Sequence, residues 1–174
     1  ASCLNKTQMF KVNFKKILIN FTIILVIFLT DRITKVYILQ KAELENTVDI
    51  YINSYLNFYL IWNKGIAFGL LSYNESFIYN VITIIIAIIS AVILVMLTRS
   101  EGFKKIALIA VFGGSIGNLF DRIYYSAVPD FIDFHINDFH WFIFNIADIF
   151  ITLGIICLIC DELIFNNKKN DKIF

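Results

Sequence analysis

FHWFIFNIADIFITLGIICLIC, residues Phe139 to Cys160, is apolar enough and long enough to cross a bilayer as one helix, and it carries a single acid, Asp148. A carboxylate near the centre of a bilayer costs roughly 2.5–3.5 kcal/mol on insertion scales, so such a residue is usually paired or used. Asp148 would lie about seven residues into the span, about 10 Å deep at 1.5 Å per residue. A second acid, Asp130, stands just upstream in Val128-Pro-Asp-Phe-Ile-Asp133. Two carboxylates converging at a membrane surface suggest acid–base hydrolysis there.

The surrounding sequence supports a membrane setting. Of the 174 residues, 59% are hydrophobic and 17% charged, where a soluble domain has about half and about a quarter. The net charge of +1 comes with no basic cluster that would read nucleic acid. Three cysteines do not make a disulfide framework. Cys157 and Cys160 form a C-x-x-C inside the last apolar run, which suits packed or lipid-facing thiols better than a redox pair. Met9, followed by Phe-Lys-Val-Asn-Phe-Lys-Lys, reads as a natural start. Residues 1–8 are then a non-native or mis-assigned extension, residues 9–166 a single membrane domain, and 167–174 a cytoplasmic tail.

Four segments have the length and composition of spans: about Ile17 to Leu39, Phe77 to Leu97, Ile106 to Tyr125, and the stretch already quoted. Lys11, Lys15 and Lys16 precede the first, Arg99, Lys104 and Lys105 separate the second and third, and Lys168, Lys169 and Lys172 follow the fourth. The positive-inside rule therefore puts both termini in the cytoplasm. Asp31, Asp121, Asp130 and Asp148 then gather toward the outer face. Thr47 to Asn63 (TVDIYINSYLNFYLIWN) is rich in Tyr, Ile and Phe with partial alternation, and reads as strands or an interfacial platform outside the membrane. The expected fold is an all-α membrane protein of four transmembrane helices with a small extracytoplasmic β-platform.

The polar residues fall into a few groups. Asp31, Thr34 and Lys35 share a helical face, which suits an ion pair that closes the first span and snorkels to the interface. Asn63 precedes Gly65 and Gly69 in a turn-like segment, and an Asn amide can both donate to and accept from an extended peptide. In Gly113-Gly-Ser-Ile-Gly-Asn-Leu-Phe-Asp-Arg122, Gly113 and Gly117 make a small-xxx-small packing face. Asp121 and Arg122 read as a pair at the membrane edge, and Asp148 has a structural alternative as a partner of Arg122. A phosphate loop is excluded, since no Lys-Ser/Thr follows and no strand precedes. Ser115 with His140 as base would need a third group to orient the histidine, and the sequence offers none. His135 and His140, near Asp133 and Asp138, match no zinc spacing and are expected to be interfacial polar residues. No metal or other cofactor is expected.

Taken together, these motifs resemble the lipoprotein signal peptidase (signal peptidase II) family from Met9 onward. They are Asp31-x-x-Thr-Lys35, Asn63-x-Gly-x-Ala-Phe68, Gly113-Gly-x-x-Gly-Asn-x-x-Asp-Arg122, Val128-x-Asp-Phe-Ile132 and Phe144-Asn-x-Ala-Asp148, in that order. The resemblance implies an inner-membrane aspartyl endopeptidase of bacteria, with Asp130 and Asp148 as the catalytic pair. Its substrates would be diacylglyceryl-modified prolipoproteins, cut just before the lipidated lipobox Cys, and its other partners membrane lipids, with the enzyme a monomer. Asn63, Gly65, Asn118, Arg122 and Asn145 become substrate-positioning residues, and Asp31, Lys35 and Asp121 structural support. Arg32 departs from the Gln of many members, and Pro129 directly precedes Asp130.

Two close carboxylates cannot both ionise readily, so they share a proton near neutrality and can serve as acid and base together. An intramembrane Asp with Arg and Asn neighbours also suits proton or ion passage. That reading expects acids spread through the membrane depth, whereas these gather at one end. A non-catalytic lipoprotein-binding protein would be indifferent to the charge of Asp130 and Asp148.

Overall fold

The computed structural model describes residues 2–45, 47–65, 75–137 and 139–166, with side chains 2–13, 75, 76, 165 and 166 left out. Residues 66–68 of the Asn63 motif, Gly69, Asp138 and the tail 167–174 lie outside the described residues. Four helices are seen: α1 (Ser2–Glu45), α2 (Glu75–Arg99), α3 (Gly102–Tyr125) and α4 (Ile146–Asp161). They accompany one antiparallel sheet whose strands lie in chain order: β1 (Asp49–Asn53), β2 (Leu56–Asn63), β3 (Val128–Ile136) and β4 (Phe139–Phe144).

Among the described residues, three helical segments are long and apolar enough to cross a membrane: Phe14–Glu45, Phe77–Arg99 and Gly102–Tyr125. Most of their exposed residues are apolar, as with Ile84, Ile85, Ile88 and Val92 on α2. That pattern fits lipid as the surrounding solvent. The most apolar window of α3 is 44% buried against 11% for the other two, so α3 is the central helix. It packs on α1, α2 and α4.

The stretch from Phe139 is not one helix. Phe139–Phe144 is a strand, and α4 begins only at Ile146. FHWFIF is dense in aromatics, which suit a pleated surface, and Asn145 then caps the helix. Asp148 therefore sits at the third helical position of α4 rather than deep in a span. The 16 residues of α4 rise about 24 Å at 1.5 Å each, and a π-helical turn over Glu162–Asn166 extends them. The platform is also larger than Thr47 to Asn63 alone, because β3 and β4 join it.

Ser126, left-handed at φ 56°, ends α3 and turns the chain into β3. Pro129 pairs with Trp62 of β2, while the pairing of β3 with β4 starts only at Ile132. A residue with no N–H is tolerated there because one side of the strand has no ladder to complete. Asp130 follows directly.

Two apolar clusters bracket a polar layer. Ile27, Leu97, Leu108 and Ile109 form one, and Ile38, Val48, Phe131 and Ile132 the other, beneath the sheet. Along α1, Asp31 and Lys35 lie between Ile27 and Ile38. Glycines let the helices close around this layer, as the small-residue spacing predicts. A Cβ on Gly113 would meet Ile27 of α1 at 3.0 Å, and one on Gly117 would meet Asp31 Oδ2 at 2.9 Å. A Cβ on Gly114 would come within 2.5 Å of the Ala147 carbonyl oxygen of α4.

Gly114→Ala should therefore push α3 and α4 apart and cost about 1–3 kcal/mol, the range for overpacked cores. Thermal unfolding in detergent checks this. An unchanged midpoint would mean that the two helices separate freely.

Candidate active site

The site is assembled from two strands, two helices and a helix cap. Asp130 lies on β3 and is 3% exposed, so it is a buried strand residue and not a solvated loop acid. Asn63, the last residue of β2, donates from Nδ2 to Asp130 Oδ2 at 2.8 Å. Asn145 donates from Nδ2 to the other oxygen, Oδ1, at 2.6 Å.

Asn145 also holds Asp148. Its side-chain oxygen accepts from the Asp148 N–H at 3.1 Å, and its own N–H donates to Asp148 Oδ2 at 3.2 Å. This is a reciprocal capping box at the start of α4. Asn118 of α3 donates to the remaining oxygen, Asp148 Oδ1, at 2.7 Å. One residue thus links both carboxylates, and every hydrogen bond just described to them comes from an amide or a backbone N–H.

Beneath this lies a buried ion network. Lys35 Nζ donates to Asp31 Oδ2 at 2.8 Å, to Asp121 Oδ2 at 2.6 Å and to Asn118 Oδ1 at 3.0 Å. Arg32 donates to Asp121 Oδ1, and the Ala147 N–H donates to Asp31 Oδ1 at 2.9 Å. Lys35 is fully buried and does not snorkel. Asp121 gives its oxygens to Lys35 and Arg32, so the expected Asp121–Arg122 pair is replaced by one with α1.

Arg122 lies elsewhere. Its guanidinium sits 5.8 Å from the Tyr79 ring, and the Tyr79 hydroxyl donates to its backbone oxygen at 2.8 Å. Gly65, at φ +74°, approaches so closely that a Cβ there would lie 3.3 Å from Arg122 Nη1. Nε and Nη1 of Arg122 are buried without hydrogen-bond partners among the described residues.

Burial raises the Asp130 carboxyl to about 6. The donated bonds from Asn63 and Asn145 oppose that rise, and the charge of Asp148 adds to it. Asp148 is half-buried and lines an apolar groove of about 270 Å³ with Phe142, Phe144, Ile149, Thr152 and Leu153. The sequence reading missed the capping box, although Asn145-x-x-Asp148 has its spacing. It also missed Tyr79 and the aromatic groove wall, which have no motif of their own.

Comparison with known proteins shows the family. A sequence model described as signal peptidase (SPase) II matches residues 23–164. The chain belongs to the signal peptidase II family. The lipoprotein signal peptidase of Pelagibacter ubique (strain HTCC1062) is 54% identical over 162 residues, covering 93% of this chain and 98% of that protein. That of Anaplasma phagocytophilum (strain HZ) is 36% identical over 157 residues, covering 90% and 99%. Two solved structures described as bacterial membrane enzymes, obtained by the in meso method, are similar in fold. One has a TM-score of 0.65 at 28% identity, covering 86% of this chain and 90% of its own. The other has a TM-score of 0.62 at 29% identity, covering 83% and 92%.

Lys35→Met should leave Asp31 and Asp121 short of a buried cation, at a cost of about 3–5 kcal/mol, as for other broken buried pairs. Folded yield from membranes and the unfolding midpoint would report it. A variant as stable as the parent would remove Lys35 from the framework.

Proposed function

We propose that this chain is an intramembrane aspartyl endopeptidase acting on diacylglyceryl-modified prolipoproteins, removing the signal peptide just before the lipidated lipobox Cys. Asp130 and Asp148 are the catalytic pair. The observation that carries the reading is the double grip of Asn145, which hydrogen-bonds both carboxylates beside an apolar groove. The names of the relatives add the substrate class.

In the proposed chemistry the pair shares one proton. The ionised carboxylate takes a proton from water, whose oxygen attacks the scissile carbonyl carbon. The protonated partner stabilises the developing oxyanion and then passes its proton to the leaving amine as the C–N bond breaks. Asn63, Gly65, Asn118, Arg122 and Asn145 position the substrate main chain and the acids. Asp31, Lys35 and Asp121 hold that frame. The groove beside Asp148 receives apolar chains of the substrate, where desolvation strengthens every polar contact.

We further propose that α4 and its π-helical extension form a fourth span within one peptidase domain, residues 9–166. Both termini and the tail 167–174 face the cytoplasm, the sheet lies at the outer surface of the bacterial inner membrane, and the enzyme works as a monomer among membrane lipids. Lys15 and Lys16 at the start of the first span and Lys104 and Lys105 at the start of the third support that orientation.

Cleavage of a lipidated and an unlipidated prolipoprotein by the purified protein tests the reading. Asp148→Asn and Asp130→Asn should each lower the rate at least about 100-fold, the lower end for general acid–base groups, with the unfolding midpoint retained. Full activity in either variant would sink the pair. The unlipidated precursor should remain uncut.

The pH profile follows from Asp130. Below about 6 its carboxyl keeps a proton, and above about 6 the proton leaves and the pair loses its acid. The kcat/KM of wild-type protein should therefore fall on the alkaline side of a break near pH 6. A flat profile from pH 5 to 8 would contradict a shared proton.

A further inference from the structure

The platform carries a second polar cluster that the peptidase chemistry does not use. Asp133 and His135 alternate along β3 onto one face, and His140 stands opposite His135 on β4. A register shift between Phe134 and His135 sets this pairing. His140 Nδ1 lies 2.8 Å from Asp133 Oδ2, and His135 Nδ1 lies 3.6 Å from the same oxygen. One ligand atom from each of the three residues lies within 4.8 Å of the others. Asp133 and His135 are 3% and 8% exposed, whereas His140 is open to solvent.

Two features go beyond an ordinary His–Asp pair. Among the described residues, His135 Nδ1 is buried without a hydrogen-bond partner, and so is Asn57 Oδ1. Asn57 pairs with Asp133 across β2 and β3. Asn57 and Asp133 line a cleft of about 400 Å³ with Asp49, Tyr59, His140 and Ile143. Buried polar atoms are costly to leave unpaired, and with the His135 proton on Nε2 a cation would satisfy both.

We propose that Asp133, His135 and His140 bind a divalent transition ion of the zinc class, with the Asn57 oxygen facing the same site. Two imidazoles and one carboxylate suit zinc, and oxygen-only ions such as magnesium and calcium do not. Bonds of about 2.0–2.1 Å in a tetrahedron put ligand atoms roughly 3.3 Å apart. The 2.8 and 3.6 Å separations straddle that value and the three ligand atoms lie within 4.8 Å of one another, so rotation of the exposed His140 is what would bring the set to that geometry. The ion takes the place of the proton between His140 and Asp133.

Its role is positional. Asp133 lies three residues beyond Asp130 on β3, and His140 lies five before Asn145 at the end of β4. The ion therefore pins together the two strands that carry Asp130 and the cap of Asp148.

The test uses untagged full-length protein in detergent, titrated with Co²⁺ as a spectroscopic probe and with Zn²⁺. Wild type should take up about one ion per chain, show visible d–d absorption without thiolate charge transfer, and gain several degrees in unfolding midpoint with Zn²⁺. His140→Ala, at an exposed position that tolerates truncation, should bind at least about tenfold more weakly and lose the Zn²⁺-dependent shift. His135→Asn should behave alike. Equal binding in wild type and His140→Ala would overturn the proposal. So would binding that depends on Cys157 or Cys160, or equal shifts with Mg²⁺ and Zn²⁺. None of these readouts depends on cleavage, so they stand apart from the fate of the catalytic pair.

Discussion

The ammonium of Lys35 is the fixed point of this molecule. It is buried between α1 and α3, and each of its three protons has an acceptor: Asp31, Asp121 and Asn118. A charge in such a place is tolerated only when fully paired and hydrogen-bonded. Arg32 completes a formally neutral group of two cations and two anions. The second oxygen of Asp31 accepts the N–H of Ala147 and so brings in α4. Three helices thereby share one electrostatic knot.

That knot orients the site above it. An Asn amide has two distinct ends. With its oxygen committed to Lys35, Asn118 turns its NH₂ group toward Asp148. Lys35 therefore acts on Asp148 through an intermediary and touches neither member of the proposed pair in the bonds described. Asn145 performs the matching task from the other side, as helix cap and as donor to Asp130. Gly114 and Gly117 are small because α4 and the Asp31 carboxylate must come within contact of α3.

The apolar segments of α1, α2 and α3 were legible because spans announce themselves by length and composition. The residues of the site were legible as polar exceptions within apolar sequence. What misled was the last segment. FHWFIF is apolar enough to pass for the start of a helix, and only the Asn145-to-Asp148 spacing marks where the strand stops. Partners across distance were harder still. Nothing local in the sequence tells that Asp121 chooses Arg32 and Lys35 over its neighbour Arg122, because that choice is made by how α1 and α3 pack. The grouping of His135, His140 and Asp133 was visible in the sequence but set aside on spacing, since only the register shift in the hairpin brings the two histidines opposite each other.

The donors to the two carboxylates are amides and main-chain N–H groups, and this has a bearing on how the chain can drift in sequence. An amide steers a carboxylate without carrying a formal charge, so it leaves the count of protons to the acids themselves. A lysine or arginine in place of Asn63, Asn118 or Asn145 would favour the charged form of both acids. The proposed chemistry would then lack its proton. Variation at these three positions is therefore limited by charge as well as by fit: neutral hydrogen-bonding side chains form the permitted set, and a basic one would take from the proposed pair the proton it needs.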